Sequence, residues 1–215
     1  MSKKFNLAQV LLKMVLVGIG VAVIFTGCVI KKGTINSYVE PTYDRGNIKT
    51  IAMFPMRNAK FAPSEARQLN KQLSQEMQKK NPNIRIVPPS KALRMINDSG
   101  LASEWADFVE DYYTSGIADK IVLAKFSKAL KVDAIFQGQL EKIIQRDSGG
   151  FGTTVKGLTR ITLSFSIVET KTAKTIWEAT VNGIYGTASN YEEAPSIKDT
   201  IDLAMKKLKE NMPWL

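Results

Sequence analysis

Gly157-Leu158-Thr159-Arg160-Ile161-Thr162-Leu163-Ser164-Phe165-Ser166-Ile167-Val168-Glu169 is the stretch that decides how this chain is built. Ile161, Leu163, Phe165 and Ile167 alternate strictly with Thr162, Ser164 and Ser166. A period of two sends successive side chains to opposite faces of a sheet, so this is a strand with one apolar face. Residues 133–145 and 174–185 read as its neighbours. The glycines of Ser148-Gly149-Gly150-Phe151-Gly152 make the first connection, and a tight turn at 170–173 makes the second. Three strands joined in this way form an antiparallel meander.

Upstream the period is 3.6. Residues 118–131 place Ile121, Leu123, Phe126 and Leu130 in a helical core pattern. Ser103 reads as the cap of a preceding helix in which Trp105, Phe108, Val109, Tyr112 and Tyr113 form one wide face. Earlier still, a helix capped by Ser90 runs to Ile96 and is stopped by Gly100. Residues 84–87 form a short strand. Residues 63–80 form a helix with Ala66, Leu69, Leu73 and Met77 inward and Pro63 in its first turn. Residues 48–56, IKTIAMFPM, read as a buried strand stopped by Pro55. A last helix, 195–212, turns Ile197, Ile201, Ala204, Leu208 and Met212 to one side. The expected order is β-α-β-α-α-α-β-β-β-α, an α/β (α+β) fold with a mixed sheet flanked by helices.

Before this domain lies a different kind of sequence. Lys3, Lys4 and Lys13 precede Met14 to Phe25, twelve uncharged residues, and no acidic residue occurs before Glu40. Twelve helical residues span about 18 Å, too short for a hydrocarbon core of about 30 Å. The pattern fits a signal-peptide core. It ends Phe25-Thr26-Gly27-Cys28, with small residues where a signal peptidase needs them and the chain's single cysteine directly after. An ordinary buried cysteine behind a plain signal, or a short signal anchor, is the alternative. The division expected is 1–27 signal peptide, 28–47 a lipidated polar tether, and 48–215 one folded domain. Removing the leader with its three lysines lowers the net charge from +10 to +7.

Thr26-Gly27-Cys28 resembles the lipobox of bacterial lipoproteins, with Phe25 where that family prefers Leu. The resemblance implies cleavage between Gly27 and Cys28, diacylglycerol on the Cys28 thiol, and, with Val29 rather than Asp next, an outer-membrane location with the domain facing the periplasm. The domain itself is similar to the envelope group that includes LpoB, CsgG and the TolB amino-terminal domain. The resemblance rests on Ile51-Ala52-Met53-Phe54-Pro55 before a long helix, on Lys131-Val132-Asp133-Ala134-Ile135-Phe136-Gln137-Gly138-Gln139-Leu140, and on a hairpin, residues 166–178, that returns through Trp177. Ala173 stands where that hairpin usually has glycine, which suggests a different turn. The resemblance implies a TolB amino-terminal-like fold and a protein that docks on an envelope partner, as an activator of a peptidoglycan synthase does. It also allows a subunit of a ring or secretion assembly, and so a homo-oligomer. A curli-type pore needs extra amphipathic hairpins, and the only candidate pair, 137–145 with 155–165, is already required by the core sheet.

Catalysis finds little material. The chain has no histidine, and its one cysteine is committed to lipid, which excludes histidine-based triads, thiol catalysis and His-containing metal sites. Gly149-Gly150-Phe151-Gly152 lacks the Gly-Lys-Ser/Thr of a phosphate loop. Glu104, Asp107, Glu110 and Asp111 lie on one helix and would have to serve a carboxylate hydrolase of peptidoglycan; acids so spaced more often form a solvated face, since glycosidase pairs oppose each other across a cleft. No enzyme, cofactor or metal is expected. The lysines are dispersed over helix faces, and an exported, lipid-anchored domain has no nucleic acid to meet; anionic lipid or an acidic protein are the counterparts left. The Trp105, Tyr112 and Tyr113 stripe reads first as core, and as the candidate partner surface if its rings reach solvent.

Overall fold

The computed structural model describes residues 29–43, 45–56, 63–149, 156–187 and 192–212. In chain order the elements are β1 Ile30–Val39, a 3-10 turn Arg45–Asn47, β2 Thr50–Met53, α1 Pro63–Lys80, β3 Arg85–Val87, α2 Pro89–Asp98, α3 Ala102–Ser115, α4 Lys120–Leu130, β4 Ala134–Arg146, β5 Leu158–Glu169, β6 Thr175–Gly186 and α5 Ile197–Asn211. The strands form one sheet in the order β1-β6-β5-β4-β2-β3. β4, β5, β6 and β1 are antiparallel, and β2 pairs in parallel with β3 and β4. The expected α+β class and mixed sheet are what the chain adopts.

Alternation along the strands divides the core in two. On one face Met53, Phe136, Leu163, Phe165, Trp177 and Val181 meet Leu69, Leu73 and Met77 of α1 and Ala204 and Leu208 of α5. On the other, Ala52, Phe54, Ile135 and Val168 meet Ala92 and Ile96 of α2, Phe108 of α3, and Leu123, Phe126 and Leu130 of α4. The second group of helices covers mainly the β3-β2-β4 side of its face. Among the described residues no helix lies over β1 and β6 on that face, and β5 is met by the helices at Val168 and at Ser166, which Tyr112 of α3 reaches.

The Val132-Asp133-Ala134 motif has a local reason. One carboxylate oxygen of Asp133 accepts from the backbone N–H groups of Lys49 and Thr50, both at 2.9 Å, and the Asp133 carbonyl accepts from the Thr170 N–H at 2.9 Å. A single side chain thus satisfies the donors at the start of β2 that no strand reaches. The hairpin from β5 to β6 keeps the left-handed conformation that glycine would favour: Ala173 has φ 60°, so the departure in sequence does not bring a right-handed turn.

Four expectations need correction. Residues 28–47 were expected as a tether, yet Ile30–Val39 is a ten-residue edge strand along β6 and belongs to the sheet. Its inward positions are Lys31, Gly33, Ile35, Ser37 and Val39, too few of them apolar to show a period of two. Gly33 is there because α5 comes close: a Cβ at residue 33 would lie 2.6 Å from the Leu203 carbonyl oxygen and 2.7 Å from Lys207 Cγ. Ser90 and Ser103 do not cap helices; Pro88 and Leu101 occupy those positions without a side-chain bond. The side-chain caps among the described helices are Asp119, accepting from Ile121 and Val122, and Ser196, accepting from Asp199. Ile121, expected in the core, is 73% exposed, because the buried stripe Leu123, Phe126, Leu130 lies on the opposite side of α4.

Candidate functional site

Strict alternation has a second consequence on the uncovered half-face. The register aligns Gln137 of β4 with Ser166 of β5, Glu178 of β6 and Tyr38 of β1, and the next row aligns Gln139, Ser164, Thr180 and Asn36. Every outward position in these two rows is polar. The carboxyl-terminal half of α3 walls one side, so the rows floor a trough of about 380 Å³.

Each wall residue is held by the sheet. The Tyr112 hydroxyl donates to Ser166 Oγ at 2.9 Å, and the Tyr113 hydroxyl donates to the Gly138 carbonyl at 3.0 Å. Tyr112 stacks on Phe108, centroids 5.9 Å apart, which ties the wall to the second core. Beneath it Gln137 is 2% exposed, and its Nε2 is buried with no hydrogen-bond partner. A buried amide donor left unpaired costs roughly 1–3 kcal/mol, a cost that this floor position bears beneath the tyrosine wall.

The far rim is anionic. Tyr38 donates its hydroxyl to Glu40 at 2.7 Å, and Thr42 donates to the other carboxylate oxygen at 2.5 Å. The Thr42 hydroxyl first, and the Tyr38 hydroxyl second, hold the Glu40 carboxyl below the usual range. The same bond to Glu40, reinforced by the charge of Glu178, raises the Tyr38 phenol. Glu40 stands beside Tyr38 outside the lining, Glu141 and Glu178 line the trough itself, and among the described residues no lysine or arginine does. The chemistry available is hydrogen bonding from amides and hydroxyls within an acidic border.

The residues singled out in the sequence fall in different places. Gly27 and Cys28 lie outside the described residues. Trp105 is half-buried in the second core, stacked on Phe54 with centroids 3.8 Å apart and edge-on to Phe126. It is separate from the trough that Tyr112 and Tyr113 border. Of the four acids on α3, Glu104 pairs with Lys125 at 3.3 Å, and Asp107, Glu110 and Asp111 are exposed along its outer side. The trough floor itself, Gln137, Gln139, Ser164, Ser166, Glu178 and Asn36, was not anticipated. The available signal was that, Glu178 apart, the polar half of the alternation in these two rows runs through hydroxyls and amides and not through the charged residues usual on a solvated face.

Among the described residues, no three of His, Cys, Asp and Glu gather as metal ligands, and no helix is long and apolar enough to cross a membrane. No protein-family model matches the chain, and no curated protein matches it in sequence. Solved structures match it at low identity. The PelC dodecamer from Paraburkholderia phytofirmans is 13% identical over 82% of this chain and 95% of that one, with a TM-score of 0.45. Lipoprotein GNA1162 from Neisseria meningitidis is 10% identical over 75% and 96%, with a TM-score of 0.47. The LpoB C-terminal domain from Salmonella enterica is 11% identical over 66% and 85%, with a TM-score of 0.34.

Proposed function

We propose that this chain is a lipid-anchored protein of the bacterial envelope that works by binding, its domain receiving a segment of another envelope protein in the open trough. The role that fits is a regulatory or docking module in cell-envelope assembly, of the kind that activates a peptidoglycan synthase, on the periplasmic side of the outer membrane. The observation that supports the binding reading is the open trough itself, floored by Asn36, Gln139, Ser164 and Thr180 and walled by Tyr112 and Tyr113, whose hydroxyls are held by the sheet. The anchor reading rests on the leader and on Cys28.

Two experiments test the two halves. Labelling cells with a fatty-acid analogue should mark the native protein and leave Cys28→Ala unmarked; equal labelling of both sinks the anchor. A photo-crosslinking residue replacing Gln139, in the trough, should capture one envelope protein, whereas the same residue replacing Lys91 on α2 should not. Identical capture from both positions, or none from Gln139, removes the docking assignment.

A second reading is a homo-oligomer. β1 is an edge strand ten residues long, and its outward N–H and C=O groups offer a second copy a strand to pair with. Light scattering on the purified protein separates a monomeric docking module from a closed ring.

A further inference from the structure

A single residue, Val29, separates Cys28 from the first residue of β1. Two residues of extended chain reach about 7 Å. Lipid on Cys28, the reading on which this inference rests, would therefore hold one end of the sheet against the bilayer with no slack.

The register says what that end carries. Ile30, Lys31 and Lys32 of β1 face Gly186, Tyr185 and Ile184 of β6; these face Leu158, Thr159 and Arg160 of β5, which in turn face Arg146, Gln145 and Ile144 of β4. Lys156 lies two residues before β5. Lys31, Lys32, Arg146, Lys156 and Arg160 are all exposed, and none of the five forms an ion pair among the described residues. Lys31 instead lies 4.4 Å over the Tyr185 ring. Val29 and Ile30 beside them are 50% and 51% exposed. The acids nearby, Asp147, Glu192 and Glu193, lie at the connection into α5, where Asp147 accepts from the Ala194 N–H at 2.9 Å. The opposite end of β1 carries Tyr38, Glu40 and Glu178. At the anchor end Lys32 and Arg160 share the open face and Lys31 lies on the α5 side, whereas at the far end Glu40 and Glu178 are accompanied by Lys171 and Lys174.

We propose that the Lys31, Lys32, Arg146, Lys156 and Arg160 end of the sheet is a seating surface for anionic phospholipid headgroups. Headgroup phosphate takes the basic residues, and Val29 and Ile30 enter the interface beside the lipid chains. An acyl anchor combined with a basic patch is a two-signal attachment. Here the second signal sets orientation, because the anchor alone leaves the domain free to tilt.

The test uses the mature protein purified from membranes and placed in nanodiscs, either pure phosphatidylcholine or phosphatidylcholine with phosphatidylglycerol. Intact mass reports lipid on Cys28 independently. Hydrogen exchange of peptides covering residues 29–36 and 158–162 should be at least fivefold slower in the anionic discs, since each seated basic residue contributes about fivefold to docking. The protection should vanish in about 0.5 M salt, where the Debye length falls to about 4 Å. Replacing Lys32→Gln, Arg146→Gln and Arg160→Gln together weakens docking about a hundredfold by the same measure, and Lys171→Gln, at the other end, changes nothing. Equal exchange in both discs, with lipid present by mass, overturns the seating surface and leaves the anchor standing. A mass without lipid overturns the anchor and this inference with it.

Discussion

Gly183→Ala tests whether α5 is packed on the sheet as closely as the structure has it. Gly183 of β6 sits opposite Gly33 of β1, and the two leave a flat seat under α5. A Cβ at residue 183 would meet the Thr200 carbonyl oxygen more closely than the 2.6 Å between a Cβ at Gly33 and the Leu203 oxygen, with Thr200 C and Cγ2 each at 3.2 Å. The obstructing atoms are helix backbone and cannot rotate away, so α5 has to move by about 1 Å. Two effects compete and have opposite signs. In an open strand, alanine is better than glycine by roughly 0.5–1 kcal/mol, because the unfolded chain loses less entropy on folding. Overpacking a well-filled interface costs about 1–3 kcal/mol, and a rigid carbonyl puts this site at the upper end. The expected net loss is about 2 kcal/mol, a fall of about 4–8 °C in Tm for a chain of this size. Urea denaturation followed by tryptophan fluorescence measures it. Gly33→Ala should cost a similar amount, and the double variant less than the sum, because a helix displaced for one methyl has already cleared the other. If Gly183→Ala is neutral or stabilising, the close seat of α5, and with it the integration of β1 into the domain, is refuted.

Other perturbations probe the turn, the trough and the acidic rim. Ala173→Gly relieves a left-handed residue, worth roughly 1–2 kcal/mol, against the entropy glycine adds to the unfolded chain and the methyl lost from the second core; a net gain of about 0.5 kcal/mol is expected in denaturation, and a clear loss would show that φ 60° is not strained there. Gln137→Met removes the unpaired donor at nearly constant volume and should raise stability by about 1 kcal/mol in urea denaturation. A clear loss of stability would show that the amide is satisfied in the folded protein. Glu40 has its folded pKa lowered by Thr42 and Tyr38, so its contribution is present above the usual value of 4.5 and is lost as pH falls through the lower folded value. Denaturation midpoints between about pH 5 and pH 3 should therefore fall slightly more for the parent than for Glu40→Gln, and parallel curves would dissociate the rim from that titration.

The parts of the fold that sequence reading recovered are those in which both faces of an element differ. In β5 every inward position is apolar and every outward one polar between Ile161 and Ile167, so period and burial agree. In α4, Leu123, Phe126 and Leu130 formed a true stripe, and Ile121 misled because one more apolar residue near a helix end does not have to face inward. β1 was not legible. Its inward face is completed by Gly33, whose role is to be absent where α5 approaches, and no hydrophobicity pattern records a missing side chain. The trough was hidden for a related reason. Gln137 and Ser166 read as solvated positions of ordinary strands, and they become a buried floor only because Tyr112 and Tyr113, a helix and more than twenty residues away in sequence, lean over them.

The loss of the tether changes what the protein can reach. A flexible segment of 20 residues would span about 25 Å on average and let the domain search a wide volume. With β1 starting two residues after Cys28, a lipid there leaves a leash of about 7 Å, and height above the membrane is set by the sheet. Along β1, Tyr38 lies eight residues beyond Ile30, which at about 3.3 Å per residue is roughly 26 Å. The trough, bordered by Tyr38 at that far end, therefore has a fixed working height, provided the basic end is seated as proposed. A partner has to present its segment within about 30 Å of the bilayer. On the proposed anchoring, a partner rooted in the same membrane meets that condition, and one held farther from the bilayer does not.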